Sequence, residues 1–144
     1  MQRGISSLAT ARWIATLMYV VPLVVFQFVG KAVELEMELE PDVLKILFGV
    51  LVVVGIVDYG VSLGIERFLL AKARANQANR PEPVVTAALV VSALGVSLAV
   101  YGLVLTLMGA PAWGAAFYVL CAGHGLHLML RWPAYVAAAE GAPY

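Results

Sequence analysis

Four residues carry the side chains most able to do chemistry in this chain: Asp58, Cys121, His124 and His127. Asp58 stands in an apolar run, eight residues before Glu66, or about 12 Å along a helix at about 1.5 Å per residue. A bare carboxylate at that depth in lipid is costly, so it is expected to be protonated, paired, or facing a wet cavity. Gly55, Tyr59 and Ser62 share its helix face and could line such a cavity. His124 is seven residues before Arg131, which puts it at nearly the depth of Asp58. An Asp58–His124 hydrogen bond is therefore expected, either as a structural tie between helices or as a minimal proton relay.

Cys121, His124 and His127 follow one another at steps of three, a spacing that invites a metal or haem. Six residues turn a helix through about 600°, so Cys121 and His127 point well apart. Axial haem ligands must come from opposite sides, which two residues three apart on one helix cannot supply. A Cys121–His124 half-site completed by Asp58 is the one metal arrangement left open, and no cofactor is expected. No phosphate-binding glycine loop, serine–histidine–aspartate set or zinc hydrolase motif occurs, so no enzymatic activity is expected.

These residues must be positioned by apolar segments. The 144 residues are 62% hydrophobic and 12% charged, with a mean hydropathy of +0.92. A soluble domain carries about a quarter charged residues, so lipid is the expected solvent. Zero formal charge gives no basic field for nucleic acid, and the single cysteine excludes an internal disulfide. Apolar runs cover residues 13–29, 46–65, 84–108 and 112–130. Each is close to the roughly 20 residues that cross a bilayer, and each must be helical to satisfy its own backbone there. The fold class expected is all-α: one four-helix transmembrane domain over residues 1–144. The first run exceeds the usual core of a signal peptide and reads as a retained span.

Seven of nine lysines and arginines flank the ends that would share one side: Arg3, Arg12, Arg67, Lys72, Arg74, Arg80 and Arg131. Lys31 and Lys45 fall on the other. This asymmetry predicts both termini in the cytoplasm, and the alanine, glycine and arginine usage suits a bacterial inner membrane. Trp13, Trp113 and Trp132 fall near span ends, where interfacial tryptophan is favoured. The external stretch from Glu34 to Asp42 alternates acidic and apolar residues, as a one-sided strand or a segment lying on the interface would. It reads either as a solvated loop or as a cation-attracting mouth. Pro81 and Pro83 forbid a continuous helix through the middle connection.

The third run has a heptad-spaced series of small residues: Ala88, Ser92, Gly95, Ala99, Gly102, Thr106 and Gly109. The second adds Gly60-x-x-x-Gly64 and the fourth Cys121-x-x-x-Gly125. Small faces let helices approach closely in lipid, either inside one monomer or between subunits.

Arg80-Pro81-Glu82-Pro83, followed by Ser97-Leu98-Ala99-Val100-Tyr101-Gly102-Leu103-Val104, resembles the polar loop and second helix of the rotary ATP synthase c subunit. The resemblance covers about 30 residues and implies a hairpin with a cytoplasmic loop and a proton-carrying carboxylate. That family's carboxylate position is occupied here by Val96. With a turn near Gln77 and Ala78, Asp58 would come opposite Ser97, beside Val96, and stand in for it. The chain also resembles small bacterial four-span proteins with an Arg-Trp-Pro-like ending. The expected function is a non-catalytic membrane subunit that packs into a larger or homo-oligomeric assembly. The alternative is a small proton or ion transporter using Asp58 and His124. The expected partners are the lipid bilayer and other membrane subunits or a second copy.

Overall fold

The computed structural model describes residues 2–33, 39–75 and 80–142. Four helices follow in order: α1 Gln2–Ala32, α2 Pro41–Ala75, α3 Pro81–Leu107 and α4 Pro111–Glu140. All four are long and apolar enough to cross a membrane. The expected all-helical fold class forms, with four helices of a length and apolarity that could span a membrane.

The helix ends follow local chemistry. α2, α3 and α4 each open on proline, whose fixed φ suits the first helical position and whose missing N–H is no loss there. Asp42 and Glu82 lie in the first turns of α2 and α3, and Lys72 and Arg74 in the last turn of α2. All four charges complement the helix dipole. Between α3 and α4 the chain reverses at Gly109, whose φ of 83° suits a residue without a Cβ. The Ala110 N–H bonds Leu105 O across that turn at 2.9 Å. Gly141, with φ 74°, ends α4 in the same left-handed manner.

Three of the four helices run well past their expected apolar cores. α1 begins at Gln2 rather than near Trp13, α2 continues ten residues past Ile65, and α4 continues ten past Leu130, through Pro133. Propensity and packing carry these extensions, since Leu70, Ala73, Tyr135 and Ala138 on them are buried. The middle connection is correspondingly shorter than expected from residues 71–83, and its residues 76–79 lie outside the described part. So do residues 34–38, on which the alternating strand reading of the acidic stretch falls. Of that stretch, Asp42 pairs with Lys45 at 2.9 Å on the exposed first turn of α2.

α3 is the central helix. It packs against α1, α2 and α4, while among the described residues the backbones of α1 and α2 do not approach each other. Arg80 at the start of α3 donates to Glu140 O at the end of α4 (3.3 Å), so these ends lie together. This is the Arg80 end, and the α3–α4 turn marks the opposite, Gly109 end. The small series explains the central position. Ala88, Ser92, Gly95, Ala99 and Gly102 are all buried within the chain. A Cβ on Gly102 would stand 2.8 Å from Gly114 O, so α3 and α4 cross with backbones nearly in contact. Outward, α1 and α2 present large apolar side chains, including Trp13, Phe28, Ile46 and Phe68. Apolar surface continuous over several helices is what lipid, and not water, accommodates. The architecture is thus consistent with a multi-pass membrane protein.

Candidate functional site

Three polar knots lie along the inward face of α2, at Asp58, Ser62 and Glu66. Steps of four keep these residues on one face, each about 6 Å further along.

Nearest the Arg80 end is Glu66, only 2% exposed. Arg131 of α4 donates from Nε to Glu66 Oε1 at 3.1 Å, and His127 Nε2 lies 3.7 Å from Oε2. The pair and the half-buried histidine close this end of the α2–α4 contact.

One step on, Ser62 Oγ lies 2.9 Å from His124 Nε2, and Tyr19 Oη of α1 lies 2.7 Å from His124 Nδ1. All three side chains are buried. Each hydroxyl can donate or accept, so the cluster satisfies either neutral tautomer and also an imidazolium with two donated bonds. Tyr19 reaches the imidazole because its ring lies in a slot between two glycines. A Cβ on Gly95 of α3 would collide with the Tyr19 hydroxyl, and one on Gly125 of α4 would stand 3.0 Å from Tyr19 Cγ. Tyr59 closes the remaining side edge-to-face, 5.5 Å from the His124 ring centroid and 6.5 Å from that of His127.

One step further stands Asp58, half-buried. Tyr101 donates to its Oδ2 at 2.7 Å and Ser97 at 2.8 Å, both from α3. Ser97 Oγ also lies 2.6 Å from Leu94 O. Its one hydrogen can go to either acceptor. When it goes to Leu94 O, the serine oxygen is free to accept from a protonated carboxyl. The knot can therefore hold Asp58 in either protonation state.

The expected Asp58–His124 bond is not formed. Asp58 faces α3 while Ser62, one turn along the same helix, meets His124, so each polar group is satisfied by hydroxyls on a different neighbour. For the same reason Asp58 does not complete a Cys121–His124 half-site. Among the described residues no three histidine, cysteine, aspartate or glutamate side chains converge as metal ligands. The juxtaposition of Asp58 with Ser97, beside Val96, is present. Of the expected small faces, Ala88, Ser92, Gly95, Ala99 and Gly102 are consumed inside the bundle, whereas Cβ atoms on Gly60 and Gly64 would meet nothing within 4 Å.

Sequence reasoning passed over the Glu66–Arg131 pair and the role of Tyr19. The first had a signal: Glu66 follows Asp58 by eight residues and Arg131 follows His124 by seven, so both pairs occupy matching levels. Tyr19 had none, because its partner glycines lie on other helices.

No known protein family matches this chain, and neither a curated protein nor a solved structure does so.

Proposed function

We propose that this chain is a multi-pass inner-membrane protein with cytoplasmic termini. It serves as a non-catalytic subunit that docks one face of α2 against another membrane subunit or a second copy of itself. The observation that carries this reading is the open glycine pair Gly60 and Gly64. Both lie on the outward face of α2, shared with the exposed Val53 and Val57, and space for a side chain is free at both. In lipid, a helix gains most from a partner where small residues allow close backbone approach. The helix-three stripe first expected to serve this purpose is already covered by the chain's own helices. The lysine and arginine asymmetry supports the orientation, which makes the Arg80 end cytoplasmic.

The reading of Asp58 and His124 as a proton or ion path is favoured by one observation of its own. The knots at Glu66, Ser62 and Asp58 form a polar ladder of separate rungs, with Tyr59 beside it. That ladder begins at the Arg80 end and stops midway. Residues 46–57 of α2, 98–107 of α3 and 111–123 of α4 contain no lysine, arginine, histidine or carboxylate. A half-crossing of this kind moves protons across a membrane only when a partner supplies the other half, which again favours a subunit over a self-sufficient transporter.

Native mass spectrometry of the protein gently extracted from its own membrane tests the proposal. Co-purification with larger membrane subunits, or a closed homo-oligomer, is expected, and Gly60→Leu with Gly64→Leu should release the chain as a folded monomer. A wild-type monomer, or an assembly indifferent to both leucines, would overturn it.

A further inference from the structure

A groove of about 510 Å³ opens between α2 and α4, with Leu98 of α3 in its floor. Its walls include Ile56 of α2 and Leu120 of α4, both exposed, and no charged side chain lines it. A Cβ on Gly123 would meet nothing within 4 Å, so the mouth is unobstructed there. Apolar walls select no particular ligand; the charges that continue those walls do.

Each wall leads to an arginine. Arg67 follows Ile56 by eleven residues, and Arg131 follows Leu120 by eleven. Eleven residues turn a helix through about 1,100°, three turns plus about 20°, so each arginine projects almost in line with its groove residue. The rise over that span is about 16 Å, close to half of the roughly 30 Å of bilayer hydrocarbon, which is one leaflet. The Glu66–Arg131 bond holds both helices in register at this level.

Arg131 is presented outward on the groove side. Its Nε donates to Glu66 Oε1 at 3.1 Å, and the Glu66 side chain is 3% exposed against 39% for Arg131. The buried carboxylate takes the inner edge of the guanidinium, which leaves the terminal amines as its exposed part. α2 and α4 run on past this pair to Ala75 and Glu140, so the exposure is lateral and not through the end of the bundle. α3 packs on both helices and forms the groove floor, so the open side of the seam is the groove side. Arg67 is exposed, and among the described residues it has no hydrogen-bond or ion-pair partner. Arg67, Arg131 and Glu66 together carry one positive charge, which one phosphodiester balances. A cationic pocket between helices at headgroup level suits an anionic lipid.

We propose that the α2–α4 seam binds one anionic phospholipid, its phosphate on Arg67 and the terminal amines of Arg131 and one acyl chain in the groove between Ile56 and Leu120. The apolar groove one leaflet away from the arginines favours a lipid phosphate over a free one. This goes beyond the subunit reading and does not depend on it, because the site is complete within a single chain.

The test is equilibrium binding of tritiated palmitoyl-oleoyl phosphatidylglycerol to the full chain in dodecyl maltoside micelles. Saturable binding of one lipid per chain is expected. Phosphatidylcholine with the same acyl chains should displace it about tenfold less well, the effect of one charge-assisted hydrogen bond, and excess inorganic phosphate should not displace it. Glu66→Gln with Arg131→Met removes the guanidinium without stranding the carboxylate and should weaken binding about tenfold. Arg67→Gln, at an exposed position without a protein partner, should weaken it about 3-fold or more and keeps the test open should the double variant fail to fold. Gly123→Trp should weaken binding of both lipids alike by filling the groove. Circular dichroism checks that the helices of each variant are intact. Absence of saturable binding, equal displacement by phosphatidylcholine, or displacement by inorganic phosphate would each overturn the proposal. So would undiminished binding in a folded Gly123→Trp or in either folded arginine variant.

Discussion

His124 Nε2 and Ser62 Oγ, 2.9 Å apart and both buried, join α4 to α2 at mid-height. The same imidazole holds Tyr19 of α1 through Nδ1, at 2.7 Å. Because the backbones of α1 and α2 do not approach each other among the described residues, this one ring couples two helices that lie apart in the bundle.

The coupling is measurable. Ser62→Ala and Tyr19→Phe each leave one ring nitrogen without its partner and should cost about 1 kcal/mol, near the typical value for a hydrogen bond between membrane helices. In the double variant neither nitrogen is satisfied, so the loss should exceed the sum of the single losses by about 0.5 kcal/mol or more. Unfolding in mixed micelles with increasing dodecyl sulfate gives all four corners of the cycle. Strict additivity would mean that the two hydroxyls act independently.

Glycines sort by what stands opposite them. Gly95→Ala would push a methyl group into the Tyr19 hydroxyl and to 2.5 Å from His124 Nδ1. Overpacking of this kind costs about 1–3 kcal/mol. Gly60→Ala meets open space and gains helix propensity, up to about 1 kcal/mol. The isolated chain should thus be destabilised by the first substitution and unchanged or stabilised by the second, as read from melting in detergent. The reverse order would contradict the packing described here.

How much of this was readable from residues alone divides along physical lines. The four helices followed from hydropathy, because in lipid an apolar run of that length has no other way to satisfy its backbone. Their true ends did not, because the extensions through Leu70 and Tyr135 are fixed by tertiary burial. The rough level of Asp58 and His124 along the bundle was legible from rise per residue, yet their partners were not. A difference of one turn sends Asp58 to α3 and Ser62 to α4, and helix rotation is set by neighbours rather than by the helix's own sequence. The small stripe on α3 was legible as a packing face, but its covering by Tyr19, Gly114 and Tyr118 needed the assembled bundle.

Asp58 accepts two hydroxyl hydrogens, so its replacements should differ sharply. Asp58→Asn keeps an oxygen acceptor for Ser97 and Tyr101 and should change stability by less than about 1 kcal/mol. Asp58→Ala leaves the Tyr101 hydroxyl without an acceptor and should cost about 1–3 kcal/mol. Melting of both variants in detergent separates the cases. Equal losses would show that the carboxylate charge, rather than acceptance of these hydrogen bonds, holds α2 to α3.

The Glu66–Arg131 pair gives the last test. Glu66 is nearly fully buried while the Arg131 side chain is 39% exposed, so the two partners do not lose equally when left alone. Arg131→Met abandons a buried carboxylate, with His127 Nε2 3.7 Å away, and should cost several kcal/mol, about 3 or more. Glu66→Gln leaves a guanidinium that can reach outward, and should cost about 1 kcal/mol. Combining them removes both charges from the contact, so the double variant should be more stable than Arg131→Met alone. Dodecyl sulfate unfolding of the three variants reads the order directly. A double variant less stable than Arg131→Met would show that the glutamate is held by something other than its arginine. His127 would then be the residue to substitute next, since its Nε2 lies 3.7 Å from the second Glu66 oxygen.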